Sequence, residues 1–202
     1  MPSAPRTVPA SIGFRVKTGR AIAVALAGPA ANPRILFRRE VLLCDPNVRE
    51  SRQPYHGAIM PFVPATPAAV ARGKQAAQRV AITAVRQLVK EFSAAGSKLV
   101  GVGLVVASNP DLRRIGSSHV RAHALEGIFF REVLEAGARA CRVPSTLILE
   151  REALARAADR LRRPTAGLRR ALACFGKEMG SPWRAEEKSA ALAAWLALKL
   201  NR

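Results

Sequence analysis

The chain has 202 residues, of which 49% are hydrophobic, and carries a formal net charge of +19 at neutral pH. That length supports one good-sized core without demanding a second domain, and the organised apolar runs exclude an intrinsically disordered chain despite the charge. The longest of these runs, AIAVALAG and LVGVGLVVA, are far too short to span a bilayer, so no membrane partner is expected.

Most of the basic charge is arginine, and a field of that sign draws polyanions, which makes nucleic acid the expected partner. The competing reading is an Ala- and Arg-rich composition whose arginines merely solvate helix faces. Cys44, Cys141 and Cys174 are odd in number and form no C-x-x-C pair, which excludes a disulfide framework and a four-cysteine zinc site. They read as buried thiols in a reducing compartment. MPSAPRTVPAS has no apolar signal-peptide core, so a cytoplasmic location is expected.

Residues 1–11 are expected to be disordered and 12–202 to form a single domain. Ile12 to Lys17, Ala21 to Leu26 and Ile35 to Cys44 read as three antiparallel strands, with turn residues between them. Residues 45–66 then form a long loop containing RQPYH, whose Arg52, Tyr55 and His56 either meet a phosphate or base, or pack down in a surface crossover; the second reading is preferred. The same loop is the natural contact for a protein partner. Thr66-Pro67 predicts a capped helix start and Gly96 its stop. Lys98 to Ala107 is a continuous apolar strand, as expected of a parallel strand covered on both faces. A helix over Ser118 to Arg142, a strand over Val143 to Leu149 and a helical remainder broken at Pro164 and Gly180 complete the chain, with Ser181-Pro182 capping the last helix. Trp183 and Trp195 are expected to anchor that last helix in the core.

This element order is that of the ribonuclease H-like fold: a three-stranded antiparallel meander extended by two parallel strands, with helices on both faces. Within it the chain resembles the RuvC-type Holliday-junction resolvases and nuclease domains. IGFRVKTGRAIAVAL resembles their opening hairpin, GVGLVVAS their fourth strand, and SSHVRAHALEGIFFREVLEAG the helix after it. VPSTLILEREAL is similar to the fifth strand, and EEKSAALAAWLAL to the closing helix. The resemblance implies carboxylates in the first strand, at the end of the fourth and on the closing helix, which hold two divalent metals for phosphoryl transfer. Most of them are missing. Arg15 stands at the first position with Lys17 next on its face, and Ala107 and Ser108 end the fourth strand. The nearest acid there is Asp111, Glu187 matches one acid of the closing helix, and the next falls near Ala190.

His119, His123 and Glu126 fall at i, i+4 and i+7 and share one helix face. The apolar stripe of Ala122, Leu125, Phe129, Phe130, Val133 and Leu134 places Glu126 near its middle, so Glu126 is expected to be buried and to need a partner. One reading pairs it with Arg15 or Lys17 in a structural network that includes His119 and His123. A second makes His119, His123 and Glu126 a divalent-metal site. A third makes them a phosphate or small-ligand site. Between Arg151 and Arg170 lie seven arginines, Arg151, Arg156, Arg160, Arg162, Arg163, Arg169 and Arg170, against only Glu152 and Asp159. These are the candidate phosphate contacts.

The resulting expectation is a catalytically degenerate nucleic-acid-binding domain with no cofactor assigned and a divalent metal as the candidate one. The alternatives are a metal-dependent nuclease or phosphodiesterase with relocated ligands, for which Glu126, Asp111 and Glu187 are the candidate catalytic acids, and a protein-protein adaptor. No P-loop, dinucleotide fingerprint or nucleophile elbow is present.

Overall fold

The side chains of the first strand alternate between two helical layers, and this alternation organises the molecule. The computed structural model describes residues 7–56 and 66–199. β1 (Val8–Lys17) turns back through Thr18 and Gly19 into antiparallel β2 (Arg20–Ala27), which pairs with antiparallel β3 (Arg34–Leu42). Gly19 takes a φ of 73°, a left-handed conformation that costs glycine nothing because it has no Cβ to clash. β4 (Ser97–Val106) lies parallel on the other side of β1, and β5 (Ser145–Leu149) lies parallel to β4, giving the order β3-β2-β1-β4-β5. The expected meander with a parallel extension is therefore present.

The parallel pairs need long crossovers, and helices supply them. α1 (Pro67–Ala94) connects towards β4, with the Thr66 side chain accepting from the Ala69 N–H at 3.2 Å as its cap. α2 (Ser118–Ala140) connects β4 to β5, and α3 (Ala153–Leu161), α4 (Thr165–Met179) and α5 (Ala185–Lys199) follow. Ile12, Phe14 and Val16 of β1 share one core with Val85, Leu88, Phe129 and Phe130 of α1 and α2. The opposite face carries α5, whose residues from Ala190 to Leu198 are all buried.

Glycines let α5 approach the sheet closely. A Cβ on Gly13 would lie 1.9 Å from the Ala190 carbonyl oxygen, and one on Gly103 would lie 2.4 Å from that of Ala193. Ser11 Oγ donates to the Ala194 carbonyl at 2.6 Å on the same face. Small residues on both sides of this packing thus explain why β4 reads GVG and why the helix is rich in alanine. Trp195, fully buried, donates its indole N–H to the Ala30 carbonyl at 2.8 Å and fixes the helix against the β2–β3 connection.

Several boundaries differ from the sequence reading. β1 begins at Val8, because Val8, Pro9 and Ala10 pair with Ser97, Lys98 and Leu99 of β4, so part of the segment expected to be disordered is strand. Residues 1–6 of that segment lie outside the described residues, as do 57–65 of the long loop. The last helix starts at Ala185 and is not capped by Ser181. None of the three cysteines is buried: Cys44 and Cys141 are half-buried and Cys174 is exposed, since it falls off the stripe of Leu168, Leu172 and Phe175 that α4 turns inward.

Candidate functional site

β1 and β4 end side by side, and a cavity of about 440 Å³ opens there, lined by Arg15, Lys17, Arg20, Ala107, Ser108 and His123 among others. The carboxyl ends of parallel strands are where open α/β sheets place their ligands. Arg15 is nearly buried and donates from Nε and Nη2 to the two carboxylate oxygens of Glu150 at 2.8 and 2.7 Å, with Nη1 donating to the Val16 carbonyl at 2.7 Å. Glu150 follows β5 directly, which brings it to the same end of the sheet. The hydrogen bonds from Arg15 hold its carboxyl below the usual carboxylate range, with the Arg15 charge, Ser189 and Lys17 adding to the effect and partial burial opposing it. Lys17 pairs with Glu186 of α5.

On the opposite face of the sheet, Glu126 of α2 is completely buried, as its place on the helical wheel predicts. Its partner is neither Arg15 nor Lys17. Arg15 projects to the α5 face together with Ser11 and Gly13, whereas α2 packs on the Ile12, Phe14 and Val16 face, so the sheet itself separates the two residues. Glu126 Oε1 instead faces His56, with the ring Nδ1 at 3.0 Å and the backbone N–H donating at 3.3 Å. His56 Nε2 lies 3.1 Å from His123 Nε2, which in turn lies 3.2 Å from His119 Nε2. The three ring nitrogens lie within 4.8 Å of one another, so the cluster whose spacing could hold a metal is His56, His119 and His123, where the sequence reading grouped His119, His123 and Glu126. Tyr55 packs edge-on against Phe129, with ring centroids 6.3 Å apart, which seats the end of the loop on α2.

No protein-family model matches the sequence, and no curated protein matches it either. Among solved structures, that of Thermus thermophilus RuvC superposes with a TM-score of 0.53 at 11% identity, covering 93% of this chain and 92% of that one. The fold is RuvC-like. T. thermophilus RuvC in complex with its Holliday junction substrate superposes with a TM-score of 0.51 at 12% identity, covering 93% of this chain and 90% of that one.

A RuvC-like fold implies divalent metals between carboxylates, and the side chains at the expected positions do not fit them. Arg15 places a guanidinium at the first-strand position, where it repels a cation, and Ala107 and Ser108 offer no carboxylate. Glu187 is buried and accepts from the Arg184 N–H at 2.7 Å, the reciprocal half of a helix capping box. Asp111 caps a short turn and takes the Arg113 guanidinium at 3.1 Å on each oxygen, which holds its carboxyl below the usual range. No acid lines the cleft among the described residues, and Glu150 and Glu186, which contact its cations, are engaged by Arg15 and Lys17. No motif in the sequence marks Glu150, although its position just after a parallel strand assigns it to this end of the sheet.

The seven arginines of 151–170 are not brought to one place. Arg156, Arg160 and Arg162 line a groove of about 780 Å³ with Asp159 and Lys199, beside the edge strand β5. Arg156 also donates to the Leu147 carbonyl at 3.1 Å. Arg169 and Arg170 are exposed on α4, and Arg151 is exposed beside Glu152 at 3.8 Å. Arg163 differs: its guanidinium lies 5.2 Å from the Trp195 ring centre and donates to the Ala31 carbonyl, so it holds structure.

Proposed function

We propose that this protein is a RuvC-like domain that binds the phosphate backbone of a nucleic acid and does not use carboxylate-held metals to cut it. The observation that carries this reading is the Arg15 guanidinium, fixed in two-point contact with Glu150 where the resemblance expects a metal-binding acid. Arg15, Lys17 and Arg20 rim the cleft but are paired with Glu150, Glu186 and Glu40, so the charge that supports phosphate binding is chiefly that of the groove beside β5, with Arg156, Arg160, Arg162 and Lys199. Such surfaces recognise backbone phosphates and release counterions on binding. The T. thermophilus RuvC complex with a Holliday junction makes branched DNA the first ligand to test.

The test is a titration of labelled four-way junction, duplex DNA and single-stranded RNA at several salt concentrations, with a cleavage assay in Mg²⁺ and Mn²⁺ alongside. Binding that weakens steeply with salt, and no cleavage, is expected. Absence of binding at low ionic strength, or metal-stimulated cleavage by the purified protein that Arg15→Ala leaves unchanged, rejects the reading.

A further inference from the structure

We infer that His56, His119 and His123 bind one divalent transition-metal ion of the zinc class through their Nε2 atoms, with Glu126 orienting His56 from behind. This site is distinct from the carboxylate centre that the fold implies: its ligands come from α2 and the end of the 45–56 segment, and it adjoins the cleft of Arg15 through His123. It stands whether or not the nucleic-acid reading holds.

The geometry of the nitrogens is the first argument. Zinc–nitrogen bonds of about 2.0–2.1 Å set tetrahedral N···N edges of about 3.3 Å. His56–His123 and His123–His119 approach at 3.1 and 3.2 Å. Hydrogen bonding alone does not satisfy this arrangement. His123 Nε2 sits in the middle and has either one proton or one lone pair, yet it faces two other ring nitrogens. A cation at the point of convergence satisfies all three lone pairs at once.

The second argument is Glu126. A carboxylate buried away from water needs a counter-charge, and among the described residues the ring of His56 is the ionisable group that faces it. Glu126 Oε2 is buried and has no hydrogen-bond partner among the described residues. His56 Nδ1, 3.0 Å from Glu126 Oε1, is likewise buried without a hydrogen bond in this geometry, and with a metal on Nε2 a proton at Nδ1 would donate to Glu126 as in a carboxylate–histidine–metal relay. A dication held by neutral imidazoles then balances the buried negative charge through His56. Three nitrogen donors select zinc-class metals over magnesium or calcium, which prefer oxygen. His119 and His123 are exposed, so solvent reaches the fourth coordination position. Bound metal ties the end of the 45–56 segment to the first turns of α2.

Untagged protein, stripped with chelator, is titrated with Co²⁺ and then Zn²⁺. Expected are one Co²⁺ per chain with the visible absorption of a nitrogen-ligated ion, its displacement by Zn²⁺, and a rise in Tm on loading. His119→Ala and His123→Ala alter exposed side chains and abolish the spectrum while circular dichroism stays native. Glu126→Gln weakens affinity by about 10–100-fold. If either alanine variant unfolds, the wild-type cobalt spectrum and stoichiometry decide. No cobalt spectrum in the wild type, or equal affinity in a folded His119→Ala, overturns the site.

Discussion

Arg15 and Glu150, 135 residues apart in sequence, meet as a two-point ion pair with N···O distances of 2.8 and 2.7 Å at the end of β1. A guanidinium fork matched to both carboxylate oxygens is the geometry that lysine cannot reproduce. Because the Glu150 side chain is 33% exposed, water recovers part of what is lost when the pair is broken. Arg15→Ala is therefore expected to cost about 1–2 kcal/mol, less than a fully buried pair, and Arg15→Lys about half as much. Urea denaturation of the two variants checks this, and an Arg15→Ala protein as stable as wild type shows that the pair is energetically idle.

The same pair makes a pH prediction. Glu150 has its folded pKa lowered, chiefly by the Arg15 hydrogen bonds, below an unfolded value of about 4.3. Its contribution to stability is present above the unfolded value and disappears as pH falls through the folded one. Wild type should thus lose more stability than Glu150→Gln between neutral pH and the acid limb below about pH 4.3. Denaturant midpoints measured for both proteins across that range test the difference, and parallel curves contradict it.

Much of this fold is legible in the chain, because β-strand runs, the Thr66-Pro67 cap and the apolar GVGLVVA strand are local signals. The buried state of Glu126 follows from the helical wheel alone. Its partner does not, since a wheel says which residues face the core but not which face of the sheet a helix covers. Pairing Glu126 with Arg15 fails for that reason: the parity of Arg15 with Ser11 and Gly13 places it under α5, not α2. His56 gives no periodic signal in a proline-containing loop, and only the folded chain brings it to His123. Glu186 and Glu187 look alike as first-turn acids, yet one pairs with Lys17 and the other accepts from a backbone N–H.

The close packing of α5 on the sheet predicts opposite outcomes at two glycines. Gly103→Val brings a Cβ to within 2.4 Å of the Ala193 carbonyl oxygen, and backbone on both sides leaves no flexible side chain to move. It should cost at least the roughly 1–3 kcal/mol of core overpacking. Gly127 is exposed in the middle of α2, and a Cβ there meets nothing within 4 Å. Gly127→Ala should stabilise by about 0.5–1 kcal/mol through helix propensity. Thermal melts of both variants provide the comparison, and a tolerated Gly103→Val removes the packing argument.

The arginines after β5 separate by what they already touch. Arg160 and Arg156 line the basic groove and are exposed, Arg156 while also donating to the Leu147 carbonyl, whereas Arg163 is committed to both Trp195 and the Ala31 carbonyl. If the groove binds phosphates, the Arg156→Ala, Arg160→Ala double variant weakens binding to all sequences alike. It also flattens the slope of log K against log salt by about 0.9 for each duplex phosphate that is no longer neutralised. Arg163→Ala should leave that slope unchanged and lower stability by about 0.5–1 kcal/mol, as expected when a cation–π interaction at a partly exposed site is removed. Salt titrations of the binding constant, run beside denaturation curves for the same proteins, distinguish the two roles. Equal slopes in the double variant and wild type place the phosphate-binding surface elsewhere, with exposed Arg169 and Arg170 of α4 the next to alter, since Arg15, Lys17 and Arg20 are already paired with Glu150, Glu186 and Glu40.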